Sequence, residues 1–181
     1  MPPNETIISF SGKTDLDLLF ELLRFPSVST KADHAPHMLA CAQWLQALLR
    51  ESGFETEVCV TGGHPAILAR GPHVPGRPTV LIYGHYDVQP AEPLHLWTSP
   101  PFEPALRNKR VFARGSTDNK GQILAHILGA RHLLREEGTL PVNLIFLIEG
   151  EEETGSTHLD DFIRARRNDL RCDIIAISDT G

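Results

Sequence analysis

Hydrophobic and polar positions follow two rhythms along this chain, and the changes of rhythm divide it into elements. From Thr14 to Arg24, a threonine with Asp17 three residues later precedes a leucine-rich run. That is a capping-box-like start to a short amphipathic helix, ended near Pro26. From His37 to Ser52, Met38, Cys41, Leu45, Leu48 and Leu49 recur at helical spacing, and Gly53 stands where a left-handed C-terminal cap would fall. Phe54 to Val60 and Ala66 to Ala69 read as strands around a Gly62-Gly63 turn, and a Pro/Gly-rich link follows from Gly71 to Pro78.

The run Thr79-Val80-Leu81-Ile82-Tyr83 has no polar alternation, the pattern of a central strand covered on both faces. After it come an irregular, proline-rich stretch from Gln89 to Pro104, a short strand near Val111 to Ala113, and a helix from about Gly121 to Glu136. Asn143 to Ile148 is a second buried strand, Thr157 to about Arg166 a helix, and Asp173 to Ile177 a last strand. Buried strands alternating with helices predict an α/β fold: a three-layer α/β/α sandwich around a largely parallel sheet.

Composition narrows the functional classes. At 181 residues with 41% hydrophobic and 22% charged positions, the chain can bury a core without a disulfide framework. Cys41, Cys59 and Cys172 lie far apart with no C-x-x-C pair, so they read as reduced thiols. The net charge of −6, without a Lys/Arg cluster, argues against a nucleic-acid partner. No apolar run reaches the roughly 18 residues of a membrane span, and Met1-Pro2-Pro3-Asn4-Glu5 does not open a signal peptide. The expectation is a soluble cytoplasmic protein with no membrane partner.

Candidate chemistry collects at the carboxyl ends of strands, where open α/β sheets bind ligands. Directly after the strand at 79–83 stands Gly84-His85-Tyr86-Asp87. Residues two apart in extended chain share a side, so Asp87 can orient the His85 imidazole and leave its other nitrogen for a metal. A histidine and an aspartate merely capping a strand end are the plainer reading. Glu149, Glu151, Glu152 and Glu153 follow the strand at 143–148. Four carboxylates so close must point apart into water or converge on a cation. Ser178-Asp179 follows the last strand, and Arg114-Gly115-Ser116-Thr117-Asp118-Asn119-Lys120-Gly121 opens the helix near 121. Asp118 as a helix N-cap and Asp179 as a turn former are the rival readings, and the G-K-[ST] order of a phosphate loop is absent. One imidazole with several carboxylates is a hard N/O set suited to zinc, manganese or cobalt.

Taken in order, G-H-Y-D-V-Q-P, W-T-S-P-P-F-E-P, R-G-S-T-D-N-K-G, E-G-E-E-E-T-G-S and I-S-D resemble the dinuclear metallopeptidases. That family includes carnosinase-like cytosolic dipeptidases, aminoacylase, carboxypeptidase G and acetylornithine deacetylase. The Q-P after H-Y-D and the E-G-x-E-E-x-G-S form look most like the dipeptidase branch. The resemblance implies two divalent ions, zinc first, with manganese or cobalt as alternatives. By the same resemblance, His85 and Asp179 are ligands of one ion, Asp118 bridges both and Glu153 binds the second. Glu152 is then the general base and Asp87 the partner of His85. His64, His73, His95 and Glu151 have no role in that pattern and are expected on the surface or in loops.

The implied activity is hydrolysis of an amide bond in dipeptides or short peptides, with N-acyl amino acids as alternative substrates and a non-catalytic metal-binding fragment as the contrasting class. The family adds a second-site histidine from far downstream and an inserted lid or dimerisation domain that makes it a homodimer. Neither lies within residues 1–181, so the chain is expected to be the amino-terminal portion of the catalytic domain, incomplete at the C-terminus and weak or inactive alone.

Overall fold

The computed structural model describes Ile8 and residues 10–179. Helix α1, Asp15–Leu23, starts with the expected capping box: the Thr14 side chain accepts from the Asp17 amide at 3.2 Å, and the Asp17 carboxylate accepts from the Thr14 amide at 2.9 Å. Helix α2, Ala35–Glu51, begins two residues earlier than the hydrophobic spacing indicates because Pro36 occupies its first turn, where a missing N–H costs nothing. It closes at Ser52 with Gly53 at φ 93°.

Strands β1, Glu55–Cys59, and β2, Ala66–Arg70, pair antiparallel across the glycine turn. Strand β3, Thr79–His85, runs two residues past the apolar stretch. The strand near residue 111 is β5, Arg110–Phe112. It is half of a small hairpin with β4, Ala105–Arg107, an element that the proline-rich surroundings hide in the sequence. Helix α3, Lys120–Glu137, strand β6, Asn143–Glu149, helix α4, Leu159–Ala165, and strand β7, Ile174–Ile177, complete the order. Helix α4 begins two residues later than the sequence indicates, after His158, which makes no side-chain cap bond.

The five-stranded sheet has the order β1-β2-β6-β3-β7. The three strands that end in candidate ligands, β6, β3 and β7, are mutually parallel, whereas β2 and β1 join antiparallel. Both faces are covered at the centre. Phe146 and Ile148 of β6 pack with Ile82 and with Leu45, Leu48 and Ile127 of the helices on one side. Ile145 and Leu147 meet Phe162 and Leu170 on the other. The result is a three-layer α/β/α sandwich. Strand β7 pairs with β3 alone among the described residues, and Ile174, Ile175 and Ile177 stay more than half exposed.

Phe146 is fully buried and meets Phe54 edge to face at 5.3 Å. Phe146→Ala is expected to destabilise the fold by about 3–5 kcal/mol. A urea titration in which the midpoint stays at the wild-type value would contradict this placement of the core.

Candidate metal centre

Because β6, β3 and β7 run parallel, their carboxyl ends lie side by side, and the side chains after them meet although up to 94 residues separate them. His85, the last residue of β3, is fully buried. Its Nδ1 lies 3.3 Å from Asp87 Oδ1 and 3.1 Å from the Asp87 carbonyl oxygen. Asp87, also fully buried, accepts from the backbone amides of Glu152 at 3.2 Å and Glu153 at 3.1 Å. One carboxylate thus orients the imidazole and anchors the acidic turn after β6.

The other ring nitrogen, Nε2, is buried and has no hydrogen-bond partner. Asp118 Oδ1 lies 3.1 Å away but off the line a ring N–H needs, with Asp179 Oδ2 at 3.8 Å and Glu152 Oε2 at 3.9 Å. His85, Asp118 and Asp179 each offer a ligand atom, all within 4.8 Å of one another. A buried nitrogen facing several carboxylate oxygens is an arrangement that a divalent cation satisfies and a proton satisfies poorly. Burial opposes charge on His85, but the Asp87 hydrogen bond and the charges of Asp87, Glu152 and Asp118 outweigh it and push its pKa up to about 9. Partial burial and the neighbouring carboxylates raise Glu152 above the ordinary range, with His85 opposing them.

The acidic run resolves its own repulsion by dispersal. Glu149, nearly buried at the end of β6, accepts from the Tyr83 hydroxyl and from Ser156 Oγ at 2.8 Å. Glu151 turns away to His158 Nδ1 at 2.8 Å, and Gln89 donates to Glu153. Glu152 alone faces His85. Glu153 shares its turn but stands outside the group of three. Asp118 is not the N-cap of α3; that place belongs to Asn119. His64 is a loop residue, as expected, although its Nε2 lies 3.0 Å from the Ser29 carbonyl oxygen.

Asn119 is the residue that the sequence left without a task. It is buried; its Nδ2 donates to the Ser178 carbonyl at 2.7 Å and to Asp179 Oδ1 at 3.1 Å, while its Oδ1 accepts from the His85 amide at 3.4 Å. It stood in plain view in the R-G-S-T-D-N-K-G segment, but nothing local marks an asparagine as spanning two strand ends. His126 of α3 reaches Ser178 Oγ at 2.8 Å and steadies the same segment.

This architecture defines an α/β protein with a mixed imidazole and carboxylate centre for divalent ions at the carboxyl edge of its sheet. Residues 81–180 match the family described as Peptidase family M20/M25/M40, and the chain belongs to it. The Cys-Gly metallodipeptidase dug1 of Schizosaccharomyces pombe is 35% identical over 176 residues, 90% of this chain and 37% of that protein. Among solved structures, the M20 family metallo-carboxypeptidase Sso-CP2 from Sulfolobus solfataricus is similar with a TM-score of 0.85 at 36% identity, covering 92% of this chain and 37% of that one. Human carnosine dipeptidase 1 gives 0.86 at 30%, covering 92% and 38%. The chain therefore spans little more than a third of the length of these relatives. No helix among the described residues is long and apolar enough to cross a membrane.

Gly84 leaves no room for a side chain: a β-carbon there would press on Asn119 Oδ1 and stand 2.8 Å from Ile123 Cγ1. Gly84→Ala should cost about 1–3 kcal/mol through overpacking. It should also shift the amide resonances of residues 85 and 119; an unchanged spectrum and unfolding midpoint would refute the close approach.

Proposed function

We propose that this chain carries the metal-binding and proton-transfer residues of a metal-dependent hydrolase that cleaves the amide bond of dipeptides or short peptides. The single observation that carries the reading is the buried His85 Nε2, without a hydrogen-bond partner and faced by oxygens of Asp118, Asp179 and Glu152. In this reading His85 and Asp179 hold one divalent ion, Asp118 is shared, and Glu153 with Asp118 holds a second. Zinc suits the set best, with manganese or cobalt close behind.

Such ions, when bound, polarise a carbonyl and bring the pKa of water from near 16 towards about 7. The protein's own groups do the rest. Asp87 keeps the His85 Nδ1 proton in place, so that Nε2 stays available. Glu152, free of the hydrogen bonds that occupy Glu149, Glu151 and Glu153, takes the proton of the attacking water on a carboxylate oxygen and passes it to the leaving amine nitrogen. Its raised pKa is in the direction that exchange needs, since a less acidic carboxyl is the stronger base towards the attacking water. The names of the relatives support peptides as the substrate class: one is a Cys-Gly dipeptidase and another a carnosine dipeptidase.

Calorimetry of the chain with zinc is expected to show at least one bound ion. Asp118→Ala should lose more than the ~10–100-fold in affinity that removal of an outer partner costs, and Asp87→Ala should fall within that range. Affinity unchanged in both variants would defeat the reading. Because zinc must displace a proton from an imidazole with a pKa of about 9, affinity should rise by about tenfold per pH unit between pH 6 and 8; a flat profile would contradict the assignment of His85. In a protein carrying these residues together with the rest of the relatives' length, Glu152→Gln should lower kcat by about 10²–10⁴ while zinc binding persists.

A further inference from the structure

The two ends of β7 are fastened differently. At its start the Thr79 amide donates to Asp173 Oδ2 at 2.7 Å, and the Asp173 amide donates to the Thr79 carbonyl at 2.9 Å. At its far end the ladder to β3 stops with the pair Ile177 and Tyr83, and Asp179 stands beyond it with a side chain 33% exposed. Chain just past the end of a ladder frays, and fixing the backbone of one residue costs about 1–2 kcal/mol in conformational entropy. A carboxylate on such a segment binds an ion well only if the protein has already met that cost.

Helix α3 supplies the fixed point. Asn119 at its cap, Ile123 and His126 are spaced four and then three residues apart, which sets them along one side of the helix. Ile123 comes close over Gly84, and Leu124, Ile127 and Leu128 bury the helix in the main core. From this support Asn119 holds the Ser178 carbonyl and Asp179 Oδ1, while half-buried His126 brings Nε2 to 2.8 Å from Ser178 Oγ. One attachment leaves a segment free to pivot; a second, made from another turn of the same helix, fixes its direction. With Oδ1 taken by Asn119, Oδ2 is the oxygen of Asp179 that faces His85 Nε2, at 3.8 Å.

We propose that His126 is a positioning residue for the metal centre: by holding the Ser178 hydroxyl it presets Asp179 in the place from which that carboxylate binds a divalent ion. The proposal rests on the metal-binding part of the reading given above. His126 stands outside the group of three that offers ligand atoms, so it acts through Ser178 and not as a ligand. Its contact is the one by which a helix buried in the core governs the geometry of a side chain that the sheet leaves past its last paired residue.

The test uses the whole chain as wild type, as Ser178→Ala, as His126→Leu and with both substitutions together, titrated with zinc by calorimetry and unfolded in urea. Each single substitution should weaken zinc binding by about tenfold, the lower end of the loss that follows removal of an outer partner, with the urea midpoint unchanged. The double variant should bind no worse than either single one, because both changes remove the same contact. In the metal-free protein, each single substitution should lower the NMR order parameters of the amides of residues 178 and 179 and leave those of β3 as they were. Ser178→Ala removes a single oxygen and carries the test alone should His126→Leu fail to fold. Unchanged zinc affinity in the single variants, additive losses in the double one, or a urea midpoint that falls together with the affinity overturns the role. If the wild type binds no zinc, the metal reading fails and the metal-free spectra decide. Amides 178 and 179 as ordered in Ser178→Ala as in the wild type then overturn the brace, and newly mobile ones leave it standing.

Discussion

The architecture turns on the desolvation of one imidazole. His85 sits at zero exposure with Asp87 on one nitrogen and three carboxylates facing the other. Leaving a buried polar nitrogen unmatched costs about 1–3 kcal/mol, and gathering carboxylates around it adds mutual repulsion. The fold tolerates both because the parallel strands put the chain there: to move His85 away from Asp179 and the turn after β6 would require breaking the β6–β3–β7 ladder. What looks like a local defect is therefore maintained by the hydrogen bonding of the whole sheet centre.

A second layer of polar contacts keeps the defect in register. Asn119 binds the segment of Asp179 and the amide of His85 at once, and its neighbour Lys120 is buried completely. Lysine is almost never fully buried without partners; here Nζ donates to the carbonyls of Phe25 at 2.7 Å and Leu22 at 3.3 Å. Those carbonyls lie at and just beyond the C-terminal end of α1, where the helix dipole places partial negative charge. Two consecutive residues at the start of α3 thus fasten the amino-terminal helix on one side and two strand ends on the other.

Much of this was legible in the residues. The unbroken apolar run at 79–83 announced a strand covered on both faces, and the rule that ligands gather at carboxyl edges then placed His85, Asp118 and Asp179 in one neighbourhood. Pairing direction was not legible: the hydrophobic pattern of β2 is the same whether it lies parallel or antiparallel to β6, and only the short connection through Gly62 and Gly63 favours an antiparallel partner for β1. The β4–β5 hairpin stayed hidden because its strands are three residues each amid prolines. The fate of Glu151 was equally opaque, since its distance from the centre depends on His158 arriving from the next helix.

The outer edge of β7 has a further physical meaning. Among the described residues β7 has one unpaired rim and three isoleucines more than half exposed, a template for another backbone to align along by the same ladder that joins it to β3. Asp179 lies two residues beyond that strand, so the carboxylate most remote in sequence from His85 hangs from the least secured element of the sheet. Any polypeptide that zippers onto this rim would shield the isoleucines from water and, in the same motion, damp the excursions of Asp179.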